Sequence, residues 1–135
     1  MYADGHLIGN HTYTHVQLSK VKSRQAVEEI VKTNTLIEEI TGEPVRYIRP
    51  PYGSYSNSLL MQINMTPVLW SVDPEDWNTD NTGQVVKSVV ANVKCGDIIL
   101  LHDIYDSSVA AALEIVDELK AKGFIFVTVD QLLLD

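Results

Sequence analysis

Ile98-Ile99-Leu100-Leu101-His102-Asp103 decides how this chain is read. The four apolar residues show no alternation, the pattern of a strand buried on both faces, and such strands belong to parallel sheets covered by helices. On the C-terminal side, Ser107 is the expected cap of a helix whose inward residues are Ala111, Ile115, Val116 and Leu119, with Gly123 as its stop. Phe124 to Val127 reads as the last strand, with a short terminal helix after it. On the N-terminal side lies a helix carrying Val85, Val86, Val89, Val90 and Val93, and before it a polar loop, Asp73 to Asn81. Pro67 to Trp70 is a predicted strand. Asn57 to Asn64 is a short helix behind Ser56, and Val45 to Ile48 is a strand broken by Pro50-Pro51, since proline cannot continue a ladder. A longer helix is expected from an N-cap at Ser23, with Val27, Ile30, Val31, Ile37 and Ile40 on one face and Gly42 as its stop. The first apolar run is Leu7 to Asn10.

Strands alternating with helices predict an α/β fold with a parallel sheet or barrel. About five strands are expected, whereas a complete (β/α) barrel takes roughly 200 residues or more. The N-terminal strands of such a barrel are therefore expected to be missing. Met1 to Gly5 reads as the end of a helix running into a glycine stop, which points the same way. Residues 1–135 are expected to form one domain.

The composition, 45% hydrophobic and 21% charged, is that of a globular chain. A net charge of −8 with no basic run argues against nucleic acid as a partner and against an anionic membrane surface. No apolar stretch reaches the ~18 residues of a membrane span. The one cysteine, Cys95, rules out an internal disulfide framework and is read as a small packing residue.

Polar residues gather at the predicted strand ends: His11, His15, Arg49, Tyr52, Asp73, Asp76, Trp77 and His102. In parallel α/β folds that rim is where sites are built. His11 and His15, four residues apart, face the same way if the segment is a helical turn. Such a pair suits zinc or a similar metal, or is two surface or capping histidines. Thr12 and Tyr13 between them exclude the His-Glu-x-x-His pattern of a zinc peptidase. Arg49-Pro50-Pro51-Tyr52-Gly53 is a stiff turn. It is able to aim the Tyr52 N–H at an oxyanion and hold Arg49 against a carboxylate, or it is a plain proline turn. Asp73-Pro74-Glu75-Asp76-Trp77 offers carboxylates to orient a histidine and an indole to stack on a sugar, or it is an acidic helix-capping loop with Trp77 in the core. His102 beside Asp103 suits a general acid or is a core histidine.

Taken together, the segments resemble the polysaccharide deacetylases, the family with a NodB-type domain. His11 to His15 resembles that family's His-[Ser/Thr]-x-x-His, and Gly5 to Asn10 its lead-in. Arg49 to Gly53 resembles Arg-x-Pro-Tyr-Gly, Asp73 to Trp77 resembles Asp-x-x-Asp-Trp, and Leu100 to His102 resembles Leu-x-His. The resemblance implies a distorted (β/α) barrel and a hydrolase that removes N-acetyl groups from N-acetylglucosamine residues of a polysaccharide, peptidoglycan first and chitin oligomers next. O-deacetylation of acetylated xylan is a further option within the class. It implies that His11 and His15 bind a divalent metal, usually zinc. Arg49 would tether the catalytic aspartate, Tyr52 would give its N–H to the oxyanion, and Asp73 would orient His102, which protonates the leaving amine. Leu100 would line the acetyl pocket and Trp77 would wall the sugar groove.

The chain departs from the family at the first motif, Thr-Phe-Asp-Asp-Gly, which supplies the base and the third metal ligand; Asp4-Gly5 is not that motif. Weak metal binding and poor turnover by this chain alone are therefore expected. So is either self-association or a separate N-terminal segment that completes the fold, because an open sheet edge seeks a partner. The competing reading is a non-catalytic carbohydrate-binding remnant of the same fold. A cell-surface or extracellular location follows from the polymer alone.

Overall fold

The longest element of the computed structural model, which describes residues 1–133, is helix α1, Ser23–Thr41. Ala26 and Ile30 are buried along it, and Val27 and Ile37 pack at the margin of the same core, with Leu18, Val45, Ile48, Leu59 and Met65. At about 100° per residue, Ala26 and Ile37 lie within ~40° of Ile30, whereas Val31 and Ile40 lie ~100° and ~80° to either side. The buried stripe is thus narrower than the hydrophobic pattern suggested, and Val31 and Ile40 are 53% and 83% exposed. Ser23 is the first helical residue and not the cap, because its hydroxyl is engaged with Gln62 Oε1 at 3.1 Å. Gly42 stops the helix as expected, left-handed at φ 74° with its N–H on Glu38 O at 2.8 Å.

The chain divides into two compact units, Met1–Leu69 and the residues from Trp70 onward. In the first unit, β1 (Tyr47–Ile48) pairs in parallel with β2 (Thr66–Pro67), and Asn10 bridges Ile48 in parallel on the other side. The ladder bonds are Asn10 N–H to Tyr47 O, 2.8 Å, Arg49 N–H to Asn10 O, 2.9 Å, Thr66 N–H to Arg46 O, 2.9 Å, and Val68 N–H to Ile48 O, 2.8 Å. Both strands are shorter than predicted, and Pro50 and Pro51, with no N–H to donate, keep β1 from running on past Arg49. Between them lies helix α2 (Asn57–Ile63), capped by Ser56 Oγ on Leu59 N–H and closed by Asn64 at φ 48°.

Gly9 explains why Asn10 can come so near β1. A Cβ built there would lie 3.2 Å from the Tyr47 carbonyl oxygen, which is itself a ladder acceptor. Gly9→Ala is expected to lower unfolding free energy by about 1 kcal/mol, as mild overpacking does; a denaturant midpoint equal to wild type would refute the tight approach.

In the second unit, α3 (Thr82–Asn92) packs on α4 (Asp106–Ala121) through Val85, Val86 and Val89 against Ala111, Ile115 and Leu119. Val72, Ile99, Leu101 and Phe124 surround that core. Burial of each such side chain is worth roughly 1.5–3 kcal/mol, which outweighs the few tenths lost by putting β-branched valines in a helix. Asn81, not predicted as a cap, accepts Gln84 N–H at 3.0 Å. Ser107 is not the α4 cap; Tyr105 holds that position without a side-chain bond, and the Ser107 carbonyl accepts Thr82 Oγ at 3.2 Å.

The decisive apolar run does pair in parallel, Val72 with Ile99, through Leu100 N–H to Val72 O at 2.9 Å and Val72 N–H to Ile98 O at 3.2 Å. It does so as an isolated bridge. Phe124 to Val127 forms no strand; Ile125 is 86% exposed, and Phe124 N–H closes the α4 end on Leu119 O. Helix α5 (Val129–Leu132) follows. In place of five strands, the described residues thus show mostly helix and one two-stranded parallel sheet. Cys95 is exposed, so it is no packing residue; it sits on the turn before Gly96. No described helix is long and apolar enough to cross a membrane.

Candidate functional site

Residues 11–15 are not the helical turn expected of them. Thr12 and His15 take left-handed φ values of 64° and 57°, and the loop still brings the two imidazoles together, ring centroids 4.9 Å apart and edge to face. His11 Nδ1 contacts the Arg49 carbonyl. A carbonyl only accepts, so Nδ1 carries the proton and the His11 lone pair is on Nε2. His15 meets the Tyr52 ring at 5.0 Å. Tyr52 is itself left-handed at φ 60° and 67% exposed.

Two side chains hold this loop. Asn10, 1% exposed, accepts Thr12 N–H on Oδ1 at 2.7 Å and donates through Nδ2 to Ile30 O, 2.9 Å, and Asn34 Oδ1, 2.6 Å. Glu29 of α1 accepts Tyr13 N–H, 3.0 Å, and Thr14 N–H, 2.7 Å, on Oε2, and the Thr14 hydroxyl, 2.9 Å, on Oε1. Arg49 is half-buried and donates from Nε to Val68 O at 3.3 Å. Desolvation by burial holds its guanidinium below the usual arginine range. Among the described residues it makes no ion pair with a carboxylate, so the expected tether has no partner here.

In the second unit, Asp76 and His102 form the other cluster. The Asp76 side chain is wholly buried; its Oδ1 meets His102 Nδ1 at 2.8 Å and its Oδ2 accepts the His102 N–H at 2.7 Å. Burial raises the Asp76 carboxyl, but the bonds from the His102 ring and backbone outweigh it and hold it below the ordinary carboxylate range. The expected orienter, Asp73, is elsewhere: exposed, accepting Glu75 N–H at 2.9 Å, and lining an open recess with Ser71, Asp97 and Lys94. The reason is local geometry. Glu75 turns left-handed at φ 54°, and the 3-10 turn Asp76–Asn78 swings Asp76 inward. Trp77 is 52% exposed, which excludes the core reading of that indole. Leu100 is buried.

Of the five described non-glycine residues at positive φ, four lie in these loops, Thr12, His15, Tyr52 and Glu75. Each such conformation costs on the order of 1–3 kcal/mol and persists only where its surroundings over-determine it, as functional sites do. For a metal, His11 and His15 offer the right donor chemistry. No group of three or more His, Cys, Asp or Glu able to hold an ion occurs among the described residues, whereas a catalytic zinc takes three protein ligands. The pair therefore fits as two ligands of a larger set.

Comparison with known proteins places this geometry in a family. The model of the family described as polysaccharide deacetylase matches residues 1–68. The chain is 39% identical over 132 residues to the peptidoglycan-N-acetylmuramic acid deacetylase PdaC of Bacillus subtilis, covering 98% of this chain and 28% of that protein. The solved PdaC structure superposes with a TM-score of 0.95, over 98% of this chain and 65% of that one.

The chain belongs to the polysaccharide deacetylase family.

A peptidoglycan-N-acetylglucosamine deacetylase of Listeria monocytogenes, PgdA, is 36% identical over 96% of this chain and 28% of its own length. The chain thus spans under a third of these curated polysaccharide deacetylases. A solved CE4 family pseudoenzyme from Bacillus anthracis is also similar, with a TM-score of 0.84 at 29% identity, over 93% of this chain and 45% of that one. Within this deacetylase-family chain, sequence reading assigned no role to Asn10 or Glu29 and paired His102 with Asp73, whereas the structure bonds His102 to Asp76. Asn10 carried a signal, an amide at the end of an apolar run. Glu29 carried none, because its partners are backbone N–H groups.

Proposed function

We propose that this chain contributes to a metal-dependent hydrolase that removes N-acetyl groups from N-acetylglucosamine residues of a polysaccharide, peptidoglycan first and chitin oligomers second. The observation that supports this most is the convergence of His11 and His15, with the His11 tautomer set by the Arg49 carbonyl. His11 and His15 would hold a divalent metal, zinc foremost, which when bound polarises the amide carbonyl and acidifies a water. Tyr52 offers its backbone N–H to the oxyanion, and Arg49 its guanidinium to a carboxylate. Leu100 lines the acetyl pocket, and the exposed Trp77 walls the sugar groove. Because Asp76 accepts from Nδ1, the other ring nitrogen of His102, Nε2, is left to take up a proton, and the resulting imidazolium gives it to the leaving amine as the C–N bond breaks and returns to the neutral ring. Asp76 takes over the orienting role first given to Asp73. A peptidoglycan substrate puts the protein at the cell surface.

The test is acetate release from N-acetylglucosamine oligomers and from peptidoglycan with added zinc. It compares this chain alone with this chain preceded by a segment bearing Thr-Phe-Asp-Asp-Gly. The longer form is expected to bind about one metal and release acetate, and its His11→Ala variant to release none. If neither form binds metal or releases acetate, the reading fails. The alternative, a non-catalytic carbohydrate-binding remnant, is favoured by the lack of a three-ligand cluster among the described residues, and a pseudoenzyme exists among the structural relatives. Binding of the oligomers without metal uptake or acetate release would establish it.

A further inference from the structure

We propose that Glu29 is a positioning residue that gives the His11–His15 loop its shape. The loop has no regular structure to hold it, and two of its residues, Thr12 and His15, lie in the left-handed region. Left to itself such a segment relaxes, and the rings separate. Glu29 prevents this from outside the loop: it sits on α1, whose neighbouring residue Ile30 is anchored in the core at 1% exposure. One carboxylate takes three donors from two consecutive residues, Tyr13 N–H, Thr14 N–H and Thr14 Oγ–H. Bonds to a charged acceptor are roughly twice as strong as neutral ones. They fall on the residues just before His15, while Asn10 and the Arg49 carbonyl fix the His11 side. Lys32, one turn further along α1, lies 3.4 Å over the Tyr13 ring and braces the same segment. Glu29 acts on the loop through two backbone N–H groups and the Thr14 hydroxyl.

The proposal rests on the metal reading for its consequence and not for its geometry, and the experiment separates the two. Glu29→Ala removes the acceptor of all three donors. Glu29→Gln keeps the shape: its carbonyl oxygen takes the two N–H groups, and the Thr14 hydroxyl reverses to accept from its amide. Expected in Glu29→Ala are loss of the nuclear Overhauser contacts between the His11 and His15 rings and faster amide exchange at Tyr13 and Thr14. Cobalt affinity is expected to fall by about 10-fold, the low end of what loss of an outer-shell partner costs, because the bonds of Glu29 are to the loop at Tyr13 and Thr14. Glu29→Gln is expected to restore the ring contacts and bring affinity to within about 3-fold, well inside that loss. Should Glu29→Ala fail to fold, Thr14→Val, at an exposed position, removes one of the three bonds and is expected to show the same exchange change in smaller degree. Ring contacts and exchange unchanged in Glu29→Ala, or in Thr14→Val, would overturn the proposal. Cobalt is titrated into the form carrying the Thr-Phe-Asp-Asp-Gly segment; if that wild-type form binds none, the metal reading alone is sunk, since the ring contacts still decide the role of Glu29.

Discussion

Asp76→Ala is expected to lower the unfolding free energy by about 3 kcal/mol, and Asp73→Ala by less than about 0.5 kcal/mol. The two aspartates stand three residues apart in one acidic loop, yet only one is inside. Asp76 is buried and accepts two bonds from a single residue, the His102 N–H at 2.7 Å and its Nδ1 at 2.8 Å. Removing it strands a backbone donor and a ring donor, and the loss falls at the low end of the range for broken buried pairs because His102 is partly exposed. Asp73 accepts one local N–H in water. Asp76→Asn separates charge from shape: an amide has one acceptor oxygen for two donors, and its NH₂ must then face one of them.

Stability against pH gives the second arm of that test. The Asp76 carboxyl titrates below its unfolded value of ~3.9. A depressed carboxyl contributes stability that is full above the unfolded pKa and is lost as pH falls through the folded one. The wild-type minus Asp76→Asn difference in urea midpoint is therefore expected to be flat near neutrality and to shrink below about pH 4. Taking the difference matters because Asp97, held low by the Ser71 hydroxyl, titrates in the same range. A difference that grows on acidification would reverse the assignment.

How far the sequence could be read depends on the range of the forces involved. Helices α1 to α4 were legible because their signals are local: apolar spacing, Ser56 before α2, glycines 42 and 123 at the ends. The strands were legible as apolar runs but not as ladders, because pairing depends on distant partners. Ile98 to Leu101 finds Val72, while Phe124 to Val127 finds none among the described residues. The site motifs were legible as chemistry, while the choice of Asp76 over Asp73 was not. It hangs on the left-handed backbone of Glu75, which nothing in a glutamate residue announces. Likewise the His11–His15 spacing suggested a helical turn, and the rings meet through an irregular loop that Asn10 and Glu29 impose.

Asn10→Asp should be the more damaging of two changes at that residue, costing about 3–4 kcal/mol against about 2 for Asn10→Ala. The side chain is 1% exposed and uses every polar function it has nearby: Nδ2 donates twice, to Ile30 O and Asn34 Oδ1, and Oδ1 accepts Thr12 N–H. Alanine strands the buried Thr12 donor and leaves a small void. Aspartate keeps that acceptor but replaces an NH₂ by an oxygen pressed against two oxygens, so it must either be buried unpaired or carry a proton. Its cost is therefore expected to shrink at acid pH, as the protonated form regains one donor, whereas that of alanine stays level. Because the same residue ties α1, the Ile48 bridge and the His11 loop together, both changes are expected to weaken metal uptake as well as stability. Urea unfolding of the two variants at neutral and acid pH checks the order; an Asn10→Asp variant as stable as wild type would mean the three bonds do not bear on folding.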